Sequence, residues 1–101
     1  MNIVILGAGQ VGSELSAILA SDHDVTLIDL NQEKLQKISD HHDLKTICGN
    51  ACYPKTLEQA EIEKSDLAIA MTQYDEVNMV ACQMIKHISK RTKTMARSRA
   101  T

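Results

Sequence analysis

The chain opens on Asn2-Ile3-Val4-Ile5-Leu6 and runs straight into Gly7-Ala8-Gly9-Gln10-Val11-Gly12. Few architectures accept an apolar strand, glycines spaced G-x-G-x-x-G and then an amphipathic stretch. Gly7 permits a tight turn out of the strand. Gly9 lets the backbone approach a pyrophosphate, where a Cβ would intrude. Gly12 lets the following helix pack closely on the strand. The start of that helix offers unpaired N–H groups and partial positive charge, which suit an anion.

A second feature stands in register with the first. Asp29 closes the apolar run Val25-Thr26-Leu27-Ile28, 17 residues after Gly12. A carboxylate at that place accepts hydrogen bonds from the hydroxyls of an adenosine ribose and repels a 2′-phosphate. The next residues, Leu30-Asn31-Gln32, include no Arg to receive one. NAD(H) or an adenine nucleotide is therefore favoured over NADP(H). The competing reading is a plain tight turn at Gly7, Gly9 and Gly12, with Asp29 merely ending a strand.

Apolar runs and breakers alternate along the rest of the chain. Strands are expected at 2–6, 25–28, 45–48, 67–71 and 92–96. Helices are expected at 10–20, 31–40, 55–61 and from 72 or 75 to 89. The first helix is predicted to bury Val11, Leu15, Ile18 and Leu19. The second is capped by Asn31, with Leu35 and Ile38 inward. Pro54 suits the first turn of the third. The fourth is capped by Thr72 or Asp75 and buries Val77, Val80, Ala81, Met84, Ile85 and Ile88. Alternation of this kind predicts an α/β fold, a Rossmann-like, doubly wound parallel sheet of five strands in the order 3-2-1-4-5. Residues 1–101 read as one domain with no linker or repeat. Two more loops, Gly49-Asn50-Ala51 and Thr72-Gln73-Tyr74-Asp75, leave strands at the same sheet edge as the glycines. The first can border an adenine and the second a distal phosphate or its substituent, although ordinary turn chemistry explains either taken alone.

Composition narrows the function classes. The hydrophobic content is 44% with only two aromatics, Tyr53 and Tyr74, so the core is aliphatic. No apolar run approaches the ~18 residues of a membrane span. A first strand at residue 2 leaves no room for a leader. The three cysteines, Cys48, Cys52 and Cys82, make no disulfide framework. A cytosolic, reduced protein is expected. Residues 1–85 carry net charge −8 and residues 86–101 carry +6. The basic end reads as favourable charge at a helix C-terminus with one or two anion contacts, rather than as a nucleic-acid patch. No catalytic set emerges. His23, His41, His42 and His87 fall on far-edge loops or a polar helix face. Cys48 and Cys52 lack the further ligands that zinc needs. Hydride transfer also wants a substrate domain, so binding without turnover is expected. The alternatives are the cofactor domain of an NAD-dependent oxidoreductase without its substrate domain, and an interaction domain that has lost its ligand.

The segments NIVILGAGQVGSELSAIL, VTLIDLNQEKL, CGNACYPKTLEQA, DLAIAMTQYDEVNMVACQMIK and TMARSRA together resemble the nucleotide-binding KTN or RCK domain of Trk-type potassium-uptake regulators. The stretch Asp75 to Cys82 and the pair Ala96-Arg97 are more specific than the glycine loop. The resemblance implies a cytosolic regulatory subunit, not an enzyme, peripheral to the inner face of the cell membrane and not inserted in it. Its partners would be a membrane potassium transporter subunit and further copies of itself, as a dimer or ring, with no nucleic acid. The implied ligand is NAD(H), or else ATP/ADP. The phosphate loop would be Gly7, Ala8, Gly9, Gln10 and Val11, closed by Gly12, with Asp29 on the ribose. Asn50 and Ala51 would border the adenosine. Thr72 and Gln73 would face the far phosphate or nicotinamide, and Arg97 would contact an anion. Members of the family continue into another strand and a dimerisation helix. This sequence stops at Thr101, so a fold short of those elements is expected.

Overall fold

The computed structural model describes residues 1–98. Strands β1 (Asn2–Leu6), β2 (Asp24–Asp29), β3 (Lys45–Cys48), β4 (Leu67–Ala70) and β5 (Lys93–Ala96) alternate with helices. These are α1 (Gln10–Ala20), α2 (Gln32–Ser39), α3 (Pro54–Gln59) and α4 (Asp75–Ile88). A 3₁₀ turn, Ile62–Lys64, leads into β4. All strand pairings are parallel, in the order β3-β2-β1-β4-β5. Parallel strands need crossover helices, and these cover both faces of the sheet.

β1 anchors the sheet because it is paired on both sides and buried on both faces. Its period of two sends Val4 and Leu6 to one face, and Ile3 and Ile5 to the other. On the first face they meet Ile28, Leu57, Ile62, Ala68, Ala81 and Ile85. On the second they meet Val25, Leu27, Leu35, Ile38 and Ile69. Burying each such aliphatic side chain stabilises the fold by about 1.5–3 kcal/mol.

The helices depart from expectation in their rotation and ends. Val11 and Ile18 are 46% and 69% exposed, so they are not part of the buried face of α1. Gly12 and Ser16 take that position, with Leu15 and Leu19 half-buried beside them. Small residues let α1 sit close to the sheet, with Leu15 and Leu19 packed against the core and Val11 and Ile18 turned outward. Ser16 becomes tolerable there because its hydroxyl donates to the Gly12 carbonyl at 2.7 Å. Val80 is likewise exposed at 49%, whereas Asn78 joins Ala81 and Ile85 on the buried stripe of α4. The N-cap of α4 is Tyr74, without a side-chain cap bond, rather than Thr72 or Asp75. Asn31 does cap α2, accepting from the Glu33 and Lys34 amides. α3 ends at Gln59, and Glu61, at φ 55°, turns the chain into the 3₁₀ turn. Thr92 precedes β5 and binds the buried hydroxyls of Ser65 and Ser89. Among the described residues, no helix is long and apolar enough to cross a membrane.

At the N-terminal edge of the sheet, Asp66 accepts from the Asn2 amide at 2.8 Å and from the Arg91 guanidinium at 2.7 Å. The amide first and the guanidinium second hold its carboxyl below the usual carboxylate range. A depressed folded-state pKa stabilises at pH values above the ordinary Asp value of about 3.9, and that contribution is lost as pH falls through the folded value. Asp66→Asn is expected to lower the melting temperature at pH 7. The gap to wild type should close as the pH is lowered towards 2, measured by thermal unfolding across that range.

Candidate functional site

Every parallel strand ends at the same edge, and β1 and β4 are where the chain order reverses. A crevice at that point is the usual ligand position in open α/β sheets. The glycine loop forms its floor. Gly7 adopts φ +108°, which L side chains rarely adopt, and its amide donates to the Ile28 carbonyl at 2.8 Å. A Cβ on Gly7 would stand 3.0 Å from the Thr72 amide nitrogen. A Cβ on Gly12 would run into the Gly7 carbonyl oxygen. The protein itself thus requires glycine at both positions. Gly9 differs: a Cβ there meets nothing within 4 Å and φ is −70°. As the N-cap of α1, Gly9 provides no side chain to the first amides of the helix, which have no intrahelical acceptors.

Asp29 fastens this loop to its neighbour. One carboxylate oxygen accepts from the Ala8 amide at 2.9 Å and the other from the Asn31 amide at 2.8 Å. Each oxygen retains a second acceptor position. Beyond it, Gly49 donates its amide to the Asp29 carbonyl at 2.9 Å, and the Asn50 side chain accepts from the Cys52 amide at 2.8 Å. On the opposite side, the Thr72 amide and hydroxyl both donate to the Asn78 side-chain oxygen, at 3.0 and 2.6 Å. The Asn78 amide group donates to the carbonyls of Thr72 and Arg97, each at 3.0 Å.

These segments surround one cavity of about 630 Å³. Gly7, Gly9, Gln10, Val11, Asp29, Asn50, Ala51, Thr72, Gln73 and Arg97, all singled out from the sequence, line it. Ala8 and Gly12 do not: Ala8 is buried and holds Asp29, and Gly12 sits beneath Gly7. The remaining wall is partly apolar, with Ile28, Leu30, Met71 and Val77. The volume, the apolar wall, the uncapped amides and the carboxylate with acceptor capacity suit an adenine nucleotide.

The sequence reading missed Lys34. It lines the same cavity from the first turn of α2, so a cation does border the Asp29 end, beyond the three residues where an Arg was sought. Asn78 was also missed as a functional residue. Its signal was a polar residue on the buried stripe, in step with Ala81 and Ile85. The histidines lie elsewhere. The His23 ring nitrogen is 3.1 Å from the N-terminal amine, at the opposite edge. His41 and His42 line a neighbouring hollow that shares Gly9, Gln10 and Lys34 with the cavity. Cys52 lines the cavity, but burial pushes its thiol up, away from the reactive thiolate. Among the described residues, no three His, Cys, Asp or Glu side chains lie together in a way that could hold a metal ion.

Comparison with known proteins places this geometry in context. The TrkA-N domain profile matches residues 3–101. The chain is 42% identical over 102 residues to the Trk system potassium uptake protein TrkA of Halomonas elongata, covering all of this chain and 22% of that protein. It therefore spans about a fifth of the length of that relative. Among solved structures, the TrkA-N domain of the inner membrane protein YbaL from Escherichia coli superposes with a TM-score of 0.87 at 20% identity. That match covers 95% of this chain and 71% of the other. The Kef CTD of Shewanella denitrificans in its AMP-bound form gives a TM-score of 0.82 at 17% identity, covering 97% and 59%. At such identities the structural likeness speaks for the fold alone.

Gly12 and Gly9 should separate cleanly in stability. Gly12→Ala is expected to cost about 3 kcal/mol, the upper end for overpacking against unyielding backbone. Gly9→Val should cost no more than about 1 kcal/mol, the scale of an altered N-cap. Denaturant unfolding of the two variants beside wild type measures both.

Proposed function

This chain belongs to the TrkA-N domain family, and on that premise we propose that it is a regulatory nucleotide-binding domain of a potassium uptake system. Its ligand in this reading is NAD(H), with ATP or ADP as the alternative adenine nucleotide. The observation that carries the reading is Gly9. Nothing in the protein fills the space a side chain would take there, so a ligand can approach the loop backbone closely at that point. The amides of Gly9, Gln10 and Val11 take the pyrophosphate at the start of α1. Asp29 accepts from the ribose hydroxyls, and Asn50 and Ala51 border the adenosine. Thr72 and Gln73 face the far phosphate or nicotinamide, and Arg97 offers a cation to an anionic group. The names of the potassium uptake relatives and the AMP in the Kef neighbour support the assignment.

The proposed role is regulation rather than turnover. The domain acts at the inner face of the membrane, on a potassium transporter subunit, as part of a homo-oligomer. A nucleotide shifts such an assembly only through unequal affinity for its two states. An enzyme would need a proton donor or acceptor beside the nicotinamide half. In this reading that half meets the Thr72 and Arg97 side of the cavity, where Tyr74 also lines the wall, so the regulatory reading rests on the family and not on a missing proton donor.

Calorimetric titration with NADH, NAD and ATP, one at a time, tests the proposal. Saturable binding is expected, and Gly9→Val should abolish it while leaving the fold intact. Asp29→Ala should weaken it by about 1–3 kcal/mol, the scale of hydrogen bonds to a charged acceptor. Unchanged affinity in either variant would refute the assigned site. Reproducible oxidation of NADH with simple carbonyl substrates would move the chain to the oxidoreductases.

A further inference from the structure

Asn78 is fully buried at the end of the first turn of α4. Asparagine is a poor helix residue, and burying its amide is costly unless every hydrogen bond is made. Here all four are made. The side-chain oxygen accepts twice from Thr72, and the two amide hydrogens go to the carbonyls of Thr72 and Arg97. An aliphatic residue in step with Ala81 and Ile85 would satisfy packing without that cost. The bonds therefore act on their recipients, and both recipients line the cavity.

Thr72 and Arg97 lie just beyond the ends of two neighbouring strands. β4 and β5 are in register as far as Ala70 and Ala96, and the Arg97 amide still reaches the Ala70 carbonyl at 2.9 Å. Past that bond, the Asn78 side chain links the two segments. Asp29 performs the corresponding task on the other side, joining Ala8 to Asn31. The cavity thus has one wall fastened by a carboxylate and another fastened by a carboxamide.

We infer that Asn78 is a positioning residue for the distal half of the nucleotide, holding Thr72 and Arg97 at the wall opposite Asp29. The inference rests on the nucleotide-binding reading above. A carboxamide suits this wall because it supplies donors and acceptors with no charge of its own. An aspartate would put negative charge behind the segment that faces the far phosphate.

A comparison of NADH with AMP tests it, because AMP carries the adenosine and one phosphate but no distal half. Wild type, Asn78→Ala and Asn78→Asp are titrated calorimetrically with both ligands, and the fold of each is followed by circular dichroism. In both variants NADH affinity is expected to fall about tenfold, the scale of a displaced contact to a charged group, while AMP affinity stays within about twofold. The Asn78→Ala effect on NADH should shrink when Arg97→Ala is already present, since the two then share one lost contact. Equal weakening of both ligands, or no change in either, would overturn the positioning role. Loss of the fold in both variants would also overturn it and leave Asn78 as structural. Failure of wild type to bind either ligand would instead remove the nucleotide-binding reading itself, and this inference with it.

Discussion

The contact between Gly12 and the Gly7 carbonyl sets the distance on which this molecule depends. α1 lies against the turn that follows β1 with no room for a Cβ between them. That approach directs the first turn of α1 towards the sheet edge, where its unpaired amides open into the cavity. It also accounts for the small residues, Gly12 and Ser16, on the buried face of α1, with Val11 and Ile18 outside it.

Around this contact the two halves of the sheet contribute different chemistry. The β2 and β3 side supplies a carboxylate with acceptor capacity, the Asn50 turn and the Lys34 cation. The β4 and β5 side supplies hydroxyl and amide groups organised by Asn78, and the Arg97 cation. The arrangement is electrostatically mixed. An anionic ligand finds helix amides and two cations, while the single carboxylate faces the place where hydroxyls are expected. Two of the basic C-terminal residues take different tasks. Arg91 pairs with Asp66 at the far edge, whereas Arg97 belongs to the cavity.

Much of this was legible before any coordinates. β1 reads as a strand because Ile, Val and Leu follow one another without a helical stripe, and Gly7 ends it. Asn31 reads as a cap because its short side chain can reach back to amides two and three residues on. Alternation and the handedness of crossovers give a doubly wound parallel sheet. The glycine loop and Asp29 fall in register because both belong to one βαβ unit, a local relation that spacing records. Helix rotation was not legible in the same way. Hydrophobic periodicity locates an apolar face to within a residue or so, and at Val11, Ile18 and Val80 the tertiary contact fell on the neighbouring stripe.

The sequence alone determined the element order, the parallel sheet and the glycine loop with Asp29 in register, since each depends on residues close together in the chain. Tertiary structure decided which side chains from distant segments share a wall. Asn78, Thr72 and Arg97 meet because α4 packs over the ends of β4 and β5, a contact that no spacing encodes. Lys34 reaches the cavity because α2 starts beside the glycine loop. A polar residue on a buried stripe announces that it has partners, but only the fold names them.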